Sequence, residues 1–127
     1  MHVLDASAVL AFLYQEPGAE DVAARLNGSI ISSLNFSEVL QKASAEGFDL
    51  EEVGSLLRSM VEGVVPFDDA MAVDAAILWS STKAAGLSLA DRACLALAAA
   101  VGGVAVTTDK VWAKLDVPGA SIHVVRR

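Results

Sequence analysis

With 127 residues the chain has length for one domain, residues 1–127, with one substantial core, and too little for two comfortable ones. A hydrophobic content of 54% with only 6% aromatic residues describes a core of Ala, Val and Leu, suited to helices packed closely on a sheet. The formal net charge of −7 excludes a protein that holds nucleic acid mainly by a broad basic surface, but clustered carboxylates bearing polyvalent cations still admit a phosphodiester, and a basic peptide is another fitting partner.

Val3 and Leu4 end a short buried strand, and Val9 to Leu13 follows as a helix, so Asp5 stands at the strand's exit. Glu16-Pro17-Gly18 breaks the chain before a second helical stretch, Ala19 to Leu26, closed by Asn27-Gly28. Ser29 to Ser32 is a second strand. Ser33 or Asn35 then opens a helix carrying Phe36, Val39, Leu40 and Ala43, with Glu38 in its first turn and Asn35-x-x-Glu38 as a capping box. Leu50 to Met60 is an amphipathic helix with a stripe of Val53, Leu56, Leu57 and Met60. Gly63 to Phe67 reads as a third strand ending at Pro66, and Asp68-Asp69 leads into one long helix, Ala70 to Ala85.

Gly86 closes that helix, and the next runs from the Ser88-x-x-Asp91 capping pair to about Val101. Its apolar run, Ala93 to Val101, stops at Gly102-Gly103, short of the ~20 residues that span a membrane. Cys94 within it is expected as a buried, inert thiol. Val104 to Thr107 is a fourth strand, and Asp109 then takes the place that Asp5 holds in the first unit. Ser121 to Val125 is a fifth strand, followed by a basic end, Arg126-Arg127. No basic-then-apolar leader opens the chain, and a cytoplasmic protein is expected.

Strands alternating with helices imply an α/β fold: a five-stranded parallel sheet with helices on both faces, an α/β/α sandwich. The chemistry then belongs at the sheet's carboxyl edge. Asp5, Glu38 and Asp109 should all reach it, and Asp91 joins them if its helix starts above that edge. Each acid alone has a capping explanation. Together they would repel one another unless a cation neutralises them, and an all-oxygen set selects Mg²⁺ or Mn²⁺ over zinc. His2 and His123 have no ligand-spaced partner and are expected in structural roles. Water activated by the metal is the natural nucleophile, with Ser7 and Thr107 as neighbouring hydroxyls that orient ligands or cap helices.

The segments Val3-Leu4-Asp5-Ala6-Ser7-Ala8, Glu38 in its helix, Leu87-Ser88-Leu89-Ala90-Asp91-Arg92 and Val106-Thr107-Thr108-Asp109-Lys110-Val111-Trp112 resemble a PIN-domain ribonuclease, specifically the VapC toxin of bacterial and archaeal toxin–antitoxin pairs. The resemblance spans essentially the whole chain. It implies a PIN-like fold and a Mg²⁺- or Mn²⁺-dependent endoribonuclease, with Asp5, Glu38, Asp91 and Asp109 as the catalytic, metal-binding quartet and Ser7 and Thr107 as accessory polar residues. It also implies a homodimer, and a VapB-like antitoxin that contributes a basic residue beside the site. The family commonly has Phe where Trp112 stands. Arg92 and Lys110, beside two of the acids, are candidates for contact with RNA phosphate. Leu10, Leu13, Val22 and Leu26 offer either an antitoxin groove or core. Two rival readings stand beside this one: an aspartyl phosphotransferase using Asp5, which lacks an acid at Ser7, and a catalytically silent interaction module of the same fold.

Overall fold

In the computed structural model, which describes residues 1–126, alternate residues of each central strand face opposite layers. Five parallel strands form one sheet: β1 (His2–Leu4), β2 (Ile30–Ser32), β3 (Gly63–Val65), β4 (Val104–Thr107) and β5 (Ser121–Val124), in the order β3-β2-β1-β4-β5. Leu4, Ile31 and Val106 pack against α1 (Ala6–Leu13), α2 (Ala19–Ala23), α3 (Ser33–Ala45) and α4 (Leu50–Met60). Val3, Ile30 and Ala105 pack on the other side, against α7 (Leu89–Val101), with Met71 of α5 (Asp69–Ile77) and Leu78 beside them. The short α6 (Trp79–Thr82) and a 3₁₀ turn, Lys83–Ala85, lead into α7. The expected three-layer α/β/α architecture is thus the observed one.

The strand order fixes where a crevice opens. From β1 the chain leaves through α1 and α2 on one face, whereas β4 leads into the Lys110–Lys114 3₁₀ turn, whose Trp112 is buried on the other. Connections that diverge from two adjacent strands leave a gap at their carboxyl ends, the usual ligand position in open α/β sheets. Here those carboxyl ends carry Asp5 and Thr107.

Two local readings are corrected, and of the two offered for Leu10, Leu13, Val22 and Leu26 the core one holds for three. The stretch expected as one helix over residues 70–85 is broken at Leu78, whose carbonyl accepts bonds from both Ser81 Oγ and Thr82 Oγ1; such back-bonding hydroxyls disturb a helix. The cap of α3 is Ser32, whose hydroxyl accepts from Leu34 N, so β2 runs straight into the helix; Asn35 is no cap, and Glu38 lies in the second turn. Leu10, Val22 and Leu26 are core, at 8%, 0% and 8% exposure, which leaves Leu13 alone of the four half-buried rather than buried. Arg127 of the basic end lies outside the described residues.

Candidate functional site

Asp5 follows β1 directly, and its backbone N–H donates to the Val106 carbonyl of β4 at 2.9 Å, which sets it beside Thr107. Its side chain does not cap α1. Instead Oδ2 accepts from Ser7 Oγ at 2.7 Å and Thr107 Oγ1 at 2.9 Å, with the two hydroxyls 3.3 Å apart. Ser7 Oγ also accepts from Thr108 N and Thr107 Oγ1 from Asp109 N, so one small network joins the exits of β1 and β4. The carboxyl of Asp5 is 4% exposed. Burial, joined by the charges of Asp91 and Glu38 and opposed by the Ser7 and Thr107 hydrogen bonds, pushes its pKa up to about 6.

Asp91 reaches this edge because α7, the helix before β4, runs against the strands and therefore begins at their carboxyl ends. Its first turn is closed by a full capping box: Asp91 N donates to Ser88 Oγ at 3.1 Å, and Ser88 N to Asp91 Oδ2 at 2.9 Å. Ser88→Ala is expected to cost about 1 kcal/mol through the lost cap, read as a lower melting temperature. Glu38 is placed by α3, with Oε2 3.1 Å from Lys42 Nζ one turn on. Its Oε1 is buried without a partner. Asp109 is exposed and caps the 3₁₀ turn, Oδ1 accepting from Val111 N at 3.0 Å.

A common pattern emerges. In each of the four acids one carboxylate oxygen is tied to local structure, and among the described residues the other accepts no hydrogen bond. Asp91 and Glu38 both lie within electrostatic reach of Asp5, whereas Asp109 connects to Asp5 through its backbone N–H and the Thr107 hydroxyl. No group of three or more His, Cys, Asp or Glu side chains among the described residues is placed to hold a metal ion. The residues nevertheless fit a hard divalent cation by donor chemistry: all ligating atoms are oxygens, the buried Glu38 Oε1 lacks a donor, and ionised Asp5 lacks a counter-charge. The fit lies in free oxygens of the right kind, with no preformed cage.

The two basic candidates separate. Arg92 Nη1 donates to the Ala75 carbonyl at 2.8 Å, fastening α5 to α7, whereas Lys110 is exposed beside Asp109. His123 Nε2 meets Asp21 Oδ2 at 2.9 Å, a contact between α2 and β5. Cys94 is fully buried, and burial pushes its thiol up, so it is an inert core residue. Asn35, which the spacing to Glu38 presents as a helix cap, instead donates from its Nδ2 to the Ala90 carbonyl at 3.0 Å.

This construction defines a class: an α/β protein with an acidic crevice at the switch point of a parallel sheet. More particularly, the chain belongs to the PIN-domain family, whose model matches residues 2–118. Among solved structures it is similar to a toxin–antitoxin complex from Klebsiella pneumoniae, with a TM-score of 0.74 and 19% identity over 94% of this chain and 95% of that one. It is also similar to VapBC2 from Rickettsia felis bound to a promoter DNA fragment (TM-score 0.69, 18% identity, 97% of each chain). A third likeness is to VapBC-5 from Mycobacterium tuberculosis (0.64, 20%, 98% of each). At these identities the likeness is one of fold. Among curated proteins, no relative matches the chain. No helix among the described residues is long and apolar enough to cross a membrane.

Proposed function

We propose that this chain is the toxin of a VapBC-type pair, a Mg²⁺- or Mn²⁺-dependent endoribonuclease acting in the cytoplasm, with residues 1–127 as its nuclease unit. The observation that carries the reading is Asp5: a carboxyl buried at the crevice, pushed up to about 6 and set near Asp91 and Glu38. An ionised cluster of this kind is costly without a cation. PIN domains are typically nucleases that use divalent metals, and the fold likeness to VapBC chains supports the toxin assignment.

Asp5, Glu38, Asp91 and Asp109 would hold the cation through their free oxygens. When bound, it supplies charge neutralisation at the phosphate and acidifies water for an in-line attack. The chain's own groups do the rest. Ser7 and Thr107 fix the Asp5 carboxylate by its Oδ2 and leave Oδ1 free; the capping box does the same for Asp91, and the turn after β4 ties Asp109 by Oδ1 and leaves Oδ2 free. Lys110 offers an exposed charge to a neighbouring phosphate. The partners are RNA, a second copy of the chain, and a VapB-like antitoxin whose basic segment complements a chain of net charge −7.

The test is to incubate the purified chain, free of antitoxin, with RNA and Mn²⁺ and to map the ends. Internal cleavage leaving 5′-phosphate is expected. Ends bearing 2′,3′-cyclic phosphate would implicate the ribose hydroxyl and defeat the mechanism, and no cleavage at all would defeat the nuclease reading.

A further inference from the structure

Asn35 is fully buried in α3, one turn before Glu38. Its Nδ2 donates to the carbonyl of Ala90 at 3.0 Å, and its Oδ1 is buried with no partner. A buried amide with an unpaired oxygen is a costly occupant of a core position, and an apolar side chain of the same shape would relieve that cost. What the amide supplies is a single cross-link with an informative address. α3 belongs to the layer packed on Leu4 and Ile31, while α7 belongs to the layer packed on Val3 and Ile30. The bond therefore passes over the carboxyl edge of the sheet from one helical layer to the other, and it lands on the residue next to Asp91.

We propose that Asn35 is a positioning residue of the acidic crevice: its bond to Ala90 sets the separation between the helix bearing Glu38 and the turn bearing Asp91. The inference rests on the cation-dependent nuclease reading above and names a residue that acts through two of its acids. Stability given up at one buried polar group is returned as a fixed spacing between two carboxylates from different layers, a spacing that neither the cap of α3 nor that of α7 supplies.

Calorimetric titration of Mn²⁺ into the full chain, beside denaturant unfolding, tests it on wild type, Asn35→Leu and Asn35→Ala. The expected result is an Asn35→Leu protein at least as stable as wild type that binds Mn²⁺ about tenfold more weakly, since outer-shell partners of metal ligands carry effects of that size. Unchanged Mn²⁺ affinity in a folded Asn35→Leu protein overturns the proposal and leaves a packing role. If Asn35→Leu does not fold, Asn35→Ala is read the same way, and failure of both to fold makes Asn35 a folding residue and likewise overturns it. Wild type that binds no Mn²⁺ overturns the nuclease reading itself, so the two failures are told apart.

Discussion

Asp5→Asn is expected to reduce RNA cleavage by about a hundredfold or more while making the protein more stable at neutral pH. An amide oxygen can accept the Ser7 and Thr107 bonds that Oδ2 accepts now, so the network joining β1 to β4 survives. What disappears is a buried negative charge. The Asp5 pKa lies at about 6 in the folded chain against 3.8 for the free group. Between those two values the folded state holds more protons than the unfolded one. The Asp5 contribution to stability therefore stands highest below pH 3.8, falls as the pH rises toward 6, and levels off above it, a loss of roughly 2–3 kcal/mol. The Asn variant lacks this loss. Thermal melts of both proteins from pH 3.5 to 8 should therefore coincide at the acid end and diverge through the window, the variant melting higher. Mn²⁺ should narrow the gap by stabilising wild type alone. Parallel curves across the whole range would mean that Asp5 does not titrate as a buried acid.

Trp112→Ala is expected to be the most damaging of the core truncations, at about 3–5 kcal/mol. The indole is fully buried among Val3, Leu95, Ala105 and Val117, so its removal opens a cavity under the turn that Asp109 caps. Denaturation in urea should show a lower midpoint with an unchanged slope. Trp112→Phe provides the contrast. The indole Nε1–H is buried without a partner, so exchanging it for a smaller ring forfeits packing but also removes an unsatisfied donor. A cost under about 1.5 kcal/mol follows. A Trp112→Phe protein as unstable as Trp112→Ala would show that the bicyclic shape itself is indispensable.

Layer architecture was legible in the sequence because it follows from periodicity, β-branched runs between helical stretches, and the same pattern puts Asp5 and Asp109 just beyond the ends of β1 and β4. The local readings that failed share a cause, which is that polar groups take partners, near in the chain or across elements, that spacing alone does not reveal. Asn35 matches a capping pattern, yet β2 passes into α3 without a loop, Ser32 takes the cap, and the amide bonds Ala90 some 55 residues away. Arg92 sits beside an acid in sequence and reaches back to Ala75 in space. The 70–85 helix keeps its apolar periodicity through Ile77, Leu78 and Trp79, but hydroxyls two and three residues beyond the last of these take the Leu78 carbonyl. Glu38 was placed at the edge by its helix, but the burial of its Oε1 is a property of the assembled layers.

β1 is synthesised before both of its neighbours, and the second of them, β4, follows only after β2, β3 and the helices between them. Val3 can pair with Ile30 early, but with Ala105 only once β4 has been made. A nascent chain on the ribosome that has not yet extruded β4 holds Asp5 without the Thr107 hydroxyl that orients it, and has no Asp109 at all. Premature termination or proteolysis ahead of residue 104 should accordingly yield fragments without a working site, which can come into being only after β4 and Asp109 have been made.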